Sequence, residues 1–139
     1  MVKKVIALDI GDVRIGVSIS DGLGLMAHPL KTIKWKNFES LKSELETIIS
    51  EKQISIIVVG MPYTLKGELS QQTKKVIEII DKLKSNIAIQ IETIDERLTT
   101  KLAETMLKST GKKASKNRHI IDQIAAVNIL QTYLDKNRI

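Results

Sequence analysis

The chain has 139 residues, a net charge of +6 and a sequence pI near 9.5, with 42% hydrophobic residues and a mean hydropathy of -0.03. That size and composition describe one domain, residues 1–139, able to bury about two thirds of its chain surface without staples. Disulfides, thiolate catalysis and cysteine-based zinc or iron–sulfur sites are excluded by the absence of cysteine. No run reaches the ~18 apolar residues of a membrane span and no secretory leader pattern opens the chain, so the expectation is a cytoplasmic protein with no membrane partner.

The first element is expected at 3–10, followed by a Gly11-Asp12 turn. Val13, Ile15, Val17 and Ile19 alternate with Arg14, Gly16, Ser18 and Ser20, which has the period of a strand facing two environments. Asp21-Gly22 is a second turn. A third strand falls within about 25–34, and Pro29 places it at a sheet edge. Asn37 caps a helix carrying Phe38, Leu41, Leu45, Ile48 and Ile49. ISIIVV at 54–59 is an unbroken apolar run, the pattern of a parallel strand covered on both faces, and Gly60-Met61-Pro62 is expected to end it. Ser70 opens a helix with Val76, Ile77, Ile80 and Leu83. Ile87, Ile89, Ile91 and Thr93 alternate as a fifth strand. A helix near 99–108, a polar basic segment and a last helix over about 119–135 complete the chain. Three strands in a meander followed by two crossovers predict an α/β fold with a five-stranded mixed sheet flanked by helices.

The chemistry-bearing residues are acids. Asp9 interrupts a strand-forming apolar run, VIALDIGDVRIGVSIS at 5–20. A phosphate-binding loop does not account for it, because Gly11 and Gly16 are followed by Val17-Ser18 in a strand, not by Lys-Ser/Thr and a helix. Two readings stay open: a metal ligand on a rigid strand, or a strand-end carboxylate bonded to the Gly11-Asp12 turn. Asp95 and Glu96 stand where the fifth strand ends. On extended backbone they point to opposite sides, so at most one faces Asp9, and the alternative is an acidic pair offsetting a helix dipole. Asp122 shares a helix face with Ala125, Ala126, Ile129 and Tyr133. Either it faces the sheet or it offsets the dipole of its own helix.

Three converging carboxylates would hold two Mg²⁺ or Mn²⁺ ions, with oxygen-only ligands favouring those hard ions over zinc. The two histidines, His28 and His119, are too few and too scattered for a histidine site. Lys112, Lys113, Lys116 and Arg118 crowd the segment before Asp122, where they could grip phosphates or simply be solvated. Arg14 and Arg97, each near a candidate acid, could hold a phosphate or pair with a carboxylate. Nucleic acid is the expected anionic partner. With only Trp35, Phe38, Tyr63 and Tyr133 as aromatics, a platform of many stacked bases is not expected.

Four segments together carry a family resemblance: ALDIGDVRIGVSISD from Ala7, VVGMPYTLKGE at 58–68, DERLTT at 95–100 and IDQIAAVNILQTYL from Ile121. In order and over nearly the whole chain, they resemble the YqgF/RuvX-like family of pre-16S rRNA nucleases, also called Holliday-junction resolvase-like. The resemblance implies an RNase H-like fold and a divalent-metal nuclease site at Asp9, at the acid of DERLTT (taken as Glu96, for its reach) and at Asp122. The implied substrate is structured RNA at the precursor 16S rRNA end, hence a role in ribosome biogenesis, by a monomer or a homodimer. Related resolvases carry an acid at the end of the fourth strand, where this chain has Gly60-Met61-Pro62. The turn Asp12-Val13 and the pair Gln123-Ile124 also depart from the family pattern.

Three other readings remain beside the rRNA nuclease. Junction-cleaving activity on four-way DNA would use the same chemistry in a two-fold dimer. A non-catalytic RNA-binding assembly factor would keep fold and charge. An ATP-binding domain of the actin-like kind is suggested by LDIG, but would need a second such domain.

Overall fold

The computed structural model describes residues 2–64, 66–96 and 118–137, the side chains of 118–122 excepted. The elements are β1 (Val5–Ile10), β2 (Arg14–Ser20), β3 (Ala27–Lys34), α1 (Phe38–Lys52), β4 (Ile56–Met61), α2 (Gln71–Asn86), β5 (Gln90–Asp95) and α3 (Arg118–Lys136). One sheet has the order β3-β2-β1-β4-β5. β1, β2 and β3 pair antiparallel, while β1 with β4 and β4 with β5 pair parallel. This is the mixed five-stranded sheet expected from the sequence, with Pro29 on the edge strand β3.

Local chemistry explains the punctuation. The β1–β2 turn closes with the Gly11 N–H donating to the Arg14 carbonyl at 2.9 Å. Asp21 Oδ1 accepts from the N–H groups of Leu23 and Leu25 and holds the next turn, in which Gly24 takes φ 70°. The multiple backbone donors, that of Leu25 foremost, draw the Asp21 carboxyl below its usual range. Asn37 caps α1 by accepting from Ser40 N–H, and Ser70 with Thr73 forms a capping box on α2.

Two apolar layers sandwich the sheet. α1 and α2 cover one face, where Ile6, Leu8, Ile15, Val17, Ile57 and Val59 meet Leu41, Leu45, Val76 and Leu83. α3 covers the other, where Val5, Ala7, Ile56, Val58 and Ile94 meet Ile129, Leu130 and Leu134. β4, covered from both sides, is buried along its whole length, as its unbroken apolar run predicts.

Two boundaries differ from the sequence reading. β4 does not stop before Gly60 but runs through Met61, its last pairs being Gly60 with Ile94 and Met61 with Asp95. β5 begins at Gln90, not Ile87. Ile87 is the C-cap of α2, its N–H donating to Leu83 O at 2.8 Å, and its buried side chain serves the helix layer. Alternation across 87–93 came from a helix end and a strand start in succession. The helix expected at 99–108 lies outside the described residues.

Side chains fix α3 in place. Near its middle, the fully buried Ser18 hydroxyl donates to the Ala126 carbonyl at 2.7 Å. Gln131 accepts from Ala27 N–H and donates to Leu25 O, and Tyr133 donates to Glu92 at 2.6 Å. Burial first, then that hydrogen bond and the Glu92 charge, push the Tyr133 hydroxyl up to about 12. Ser18→Ala should therefore lower stability by about 1 kcal/mol in urea unfolding, without a change in m-value, because it removes one buried hydrogen bond and leaves the helix carbonyl to its intrahelical partner.

Candidate active site

The strand period assigns each acid to a face. In β1, Ile6, Leu8 and Ile10 point to α1 and α2, so Asp9 shares the opposite face with Val5 and Ala7, beneath α3. Asp9 pairs with Gly16 of β2, and Gly16 with Thr32 of β3. On the other side, Leu8 pairs with Val59, so the next residues out are Asp9 and Gly60. All of these stand near the C-terminal ends of the parallel strands β1, β4 and β5, the usual place for a site in such sheets.

Glu96 is brought into this row. It follows directly on β5, half-buried, and its carboxyl hydrogen-bonds Asp9. Burial, that bond to Asp9, and the negative charges of Asp9 and then Asp95 push the Glu96 carboxyl up to about 9. In the metal-free protein at neutral pH it is therefore a protonated acid donating to Asp9.

Gly60 makes room for it. A Cβ built on Gly60 would stand 2.8 Å from Glu96 Cγ, 2.9 Å from Glu96 Oε1 and 2.5 Å from Ile129 Cδ1. Gly60 is not among the residues with positive φ, so glycine is required there by close approach and not by backbone conformation. The sequence reading took Gly60 for a strand-ending signal. In the fold it is the floor on which the Glu96 side chain lies, and the only trace of that in the sequence was the lack of an acid at the end of the fourth strand. Of the DERLTT acids, Glu96 is the one that meets Asp9; Asp95 is the last residue of β5 and acts on Glu96 through its charge.

The remaining expected residues are placed in part. Arg14 opens β2 on the same face and at the same end as Asp9, opposite Lys34. Asp122 lies in the second turn of α3 and Arg118 is its first residue, but their side chains lie outside the described residues. The neighbour of Asp122, Gln123, donates to Thr32 Oγ1 at 3.1 Å. Thr32 belongs to the Asp9–Gly16 row, so the start of α3 is held at the same end of the sheet. Gln123, a departure from the family pattern, thus has a docking role. Arg97, Lys112, Lys113 and Lys116 lie outside the described residues.

Among the described residues, no cluster of three or more His, Cys, Asp or Glu side chains that could hold a metal is present. Two carboxyls, Asp9 and Glu96, do converge, and they offer only oxygen. That donor set suits a hard divalent cation such as Mg²⁺ or Mn²⁺, and a cation between them would remove the reason for Glu96 to stay protonated.

The RuvX family, described as Holliday junction resolvase, matches residues 3–136. The chain belongs to the RuvX family. A Fusobacterium nucleatum protein named "Putative pre-16S rRNA nuclease" is 46% identical over 138 residues, covering 98% of this chain and 99% of that one. A Crocosphaera subtropica protein of the same name is 41% identical, covering 96% and 93%. Among solved structures, Thermus thermophilus RuvC in complex with Holliday junction substrate is similar at a TM-score of 0.59 and 11% identity, over 98% of this chain and 97% of that one. The Fowlpox virus resolvase with Holliday junction DNA is similar at a TM-score of 0.57 and 12% identity, over 96% and 97%. These likenesses show that this RuvX chain has the RNase H-like fold of the resolvases. No helix among the described residues is long and apolar enough to cross a membrane.

Proposed function

We propose that this RuvX protein is a divalent-metal-dependent nuclease that hydrolyses phosphodiesters, processing the 5′ end of precursor 16S rRNA in the cytoplasm. The observation that carries this reading is the meeting of Glu96 with Asp9 over Gly60. Two carboxyls are pressed together in a half-buried place where one must stay protonated unless a cation joins them. The names of its full-length relatives support RNA as the substrate.

Asp9, Glu96 and Asp122 are assigned as the metal ligands, with two ions as the expected complement. Bound there, such ions supply a Lewis acid for the phosphate oxygens and lower the pKa of attacking water. The chain's own residues do the rest. The rigid strands β1 and β5 hold Asp9 and Glu96 at one end of the sheet, and α3 carries Asp122 to that end. Arg14, Arg97, Lys112, Lys113, Lys116 and Arg118 are assigned to the substrate backbone, whose phosphates they position. A second reading, cleavage of four-way DNA junctions, is favoured by the family's description. It uses the same residues and requires a dimer for two coordinated cuts.

A cleavage assay in Mg²⁺ or Mn²⁺, with precursor 16S leader RNA and a four-way DNA junction side by side, separates the two. Cutting of the RNA that disappears in Asp9→Asn is the expected result. Junction cutting lost in the same variant would keep the site and change the substrate. Equal traces from wild type and Asp9→Asn would overturn the nuclease reading and leave an RNA-binding factor.

A further inference from the structure

Two of the four aromatic residues come together away from the acids, on the α1/α2 side of the sheet. Trp35 follows β3, and its N–H donates to Val13 O at 2.8 Å, tying it to the β1–β2 turn beside the catalytic strand. Phe38 opens α1. Both are half-buried against the apolar layer and line a shallow groove of about 180 Å³ with Lys75, Glu78, Ile79 and Lys82 of α2. Lys75 Nζ stands 5.7 Å from the centre of the Trp35 ring, and Lys82 Nζ stands 5.7 Å from that of Phe38. Lys75 also reaches Asp12 of the β1–β2 turn at 3.5 Å, so the groove starts where the catalytic end of the sheet stops. Lys36 is exposed beside Trp35. Among the described residues, Glu78 is the one acid lining the groove.

We propose that this groove holds an unpaired nucleotide of single-stranded RNA at the end of the sheet that carries the acids, its base taking the place of the Lys75 ammonium over the Trp35 ring and its flanking phosphates on Lys36, Lys75 and Lys82. The inference rests on the reading of the protein as an RNA nuclease. An aromatic ring beside lysines is what unpaired bases seek, the ring for the π-face and the ammonium groups for the phosphates. Scarcity of aromatics argues against a long stacking platform; one ring pair on the α1/α2 face, at the end of the sheet that carries the acids, is a different arrangement, suited to placing a single strand in register. Glu78 opposes phosphates and keeps the grip moderate.

Trp35 is the only tryptophan, so its fluorescence reports this groove alone. The wild-type protein in EDTA, which prevents turnover, is titrated with an end-labelled single-stranded RNA of about 12 nucleotides, within the usual site size of such binders. Anisotropy of the label reads total binding and Trp35 emission reads the groove. The expected result is saturable quenching with the same Kd by both signals. Lys82→Ala should raise that Kd about three- to five-fold at low salt and reduce the salt slope by about 0.7, one phosphate contact. Glu78→Gln should lower the Kd, an effect that a merely structural residue would not produce. RNA binding with silent Trp35 emission and unchanged Kd in both variants would overturn this inference and leave the nuclease reading standing. Absence of RNA binding in the anisotropy channel would overturn both.

Discussion

Glu96→Gln should make the metal-free protein more stable and the enzyme inactive. The folded state holds Glu96 protonated up to about pH 9, against an ordinary value of 4.5. Between those two values the unfolded chain has released a proton that the folded protein keeps. Stability must then fall as pH rises through this window, and the loss is complete only above the folded value. For the metal-free wild type the expected decline between about pH 5 and 8.5 is about 2–4 kcal/mol. Glutamine keeps the shape of the protonated acid and can donate its amide N–H to Asp9, but has no proton to lose. The variant should show a flatter pH dependence and, at about pH 8, a Tm higher by roughly 5–10 °C in EDTA. Added Mg²⁺ or Mn²⁺ should raise the Tm of the wild type by mass action and leave the variant nearly unmoved. Cleavage should drop about a thousandfold or more, since several kcal/mol of metal-borne transition-state stabilisation are lost. Thermal melts across pH, with and without the metal, check the first half; single-turnover cleavage checks the second. A wild type whose stability does not decline from pH 5 to 8.5 in EDTA would refute the protonated Glu96–Asp9 pair.

Gly60→Ala should destabilise the protein and damage the site together, although alanine ordinarily improves a strand. The added methyl falls on Ile129 Cδ1 and on Glu96 Cγ and Oε1 at distances no real Cβ sustains. The Ile129 tip can swing aside, at an overpacking cost of about 1–3 kcal/mol. Glu96 has to leave its place against Asp9, and misplacement of a reacting constellation by about 1 Å can cost about a hundredfold in rate. A displaced Glu96 also regains water, so the pH dependence of stability should flatten, as it does for glutamine, with the deficit against the wild type largest near pH 5 and narrowing as pH rises. Urea titrations at two pH values and the cleavage rate test this. A variant as stable and as active as the wild type would mean that Glu96 does not rest on Gly60.

The two variants divide the site into its parts. One keeps the shape and removes the charge, the other keeps the charge and removes the shape. Loss of cleavage in both, with a flattened pH dependence that starts from unimpaired stability near pH 5 in one and from lowered stability in the other, is the signature of a carboxylate held in place at the expense of the fold, as functional sites commonly are.

Much was legible in the residues. Period-two alternation at 13–20, the unbroken run at 54–59 and the capped helical spacings after Asn37 and Ser70 reported the sheet and its helices, because each depends on which neighbours share a face. Asp9 stood out because a carboxylate in such a strand demands compensation. The four segments of family resemblance supplied the class of chemistry, and the matching relatives agree with it. What the sequence could not supply was anything that depends on two strands lying side by side. Ile87 looked like strand because alternation does not reveal where a helix cap ends. Gly60 looked like a stop because a glycine's purpose is visible only when its neighbour across the sheet is known. Which acid meets Asp9 depends on the parallel register of β1, β4 and β5, which sets the Glu96 carboxyl on a bare glycine against Asp9, with the charge of Asp95 close enough to act on it. Local pattern determines the elements, since it acts through nearest neighbours on one segment; convergence of charges on a site is a property of register, and register exists only in the folded sheet.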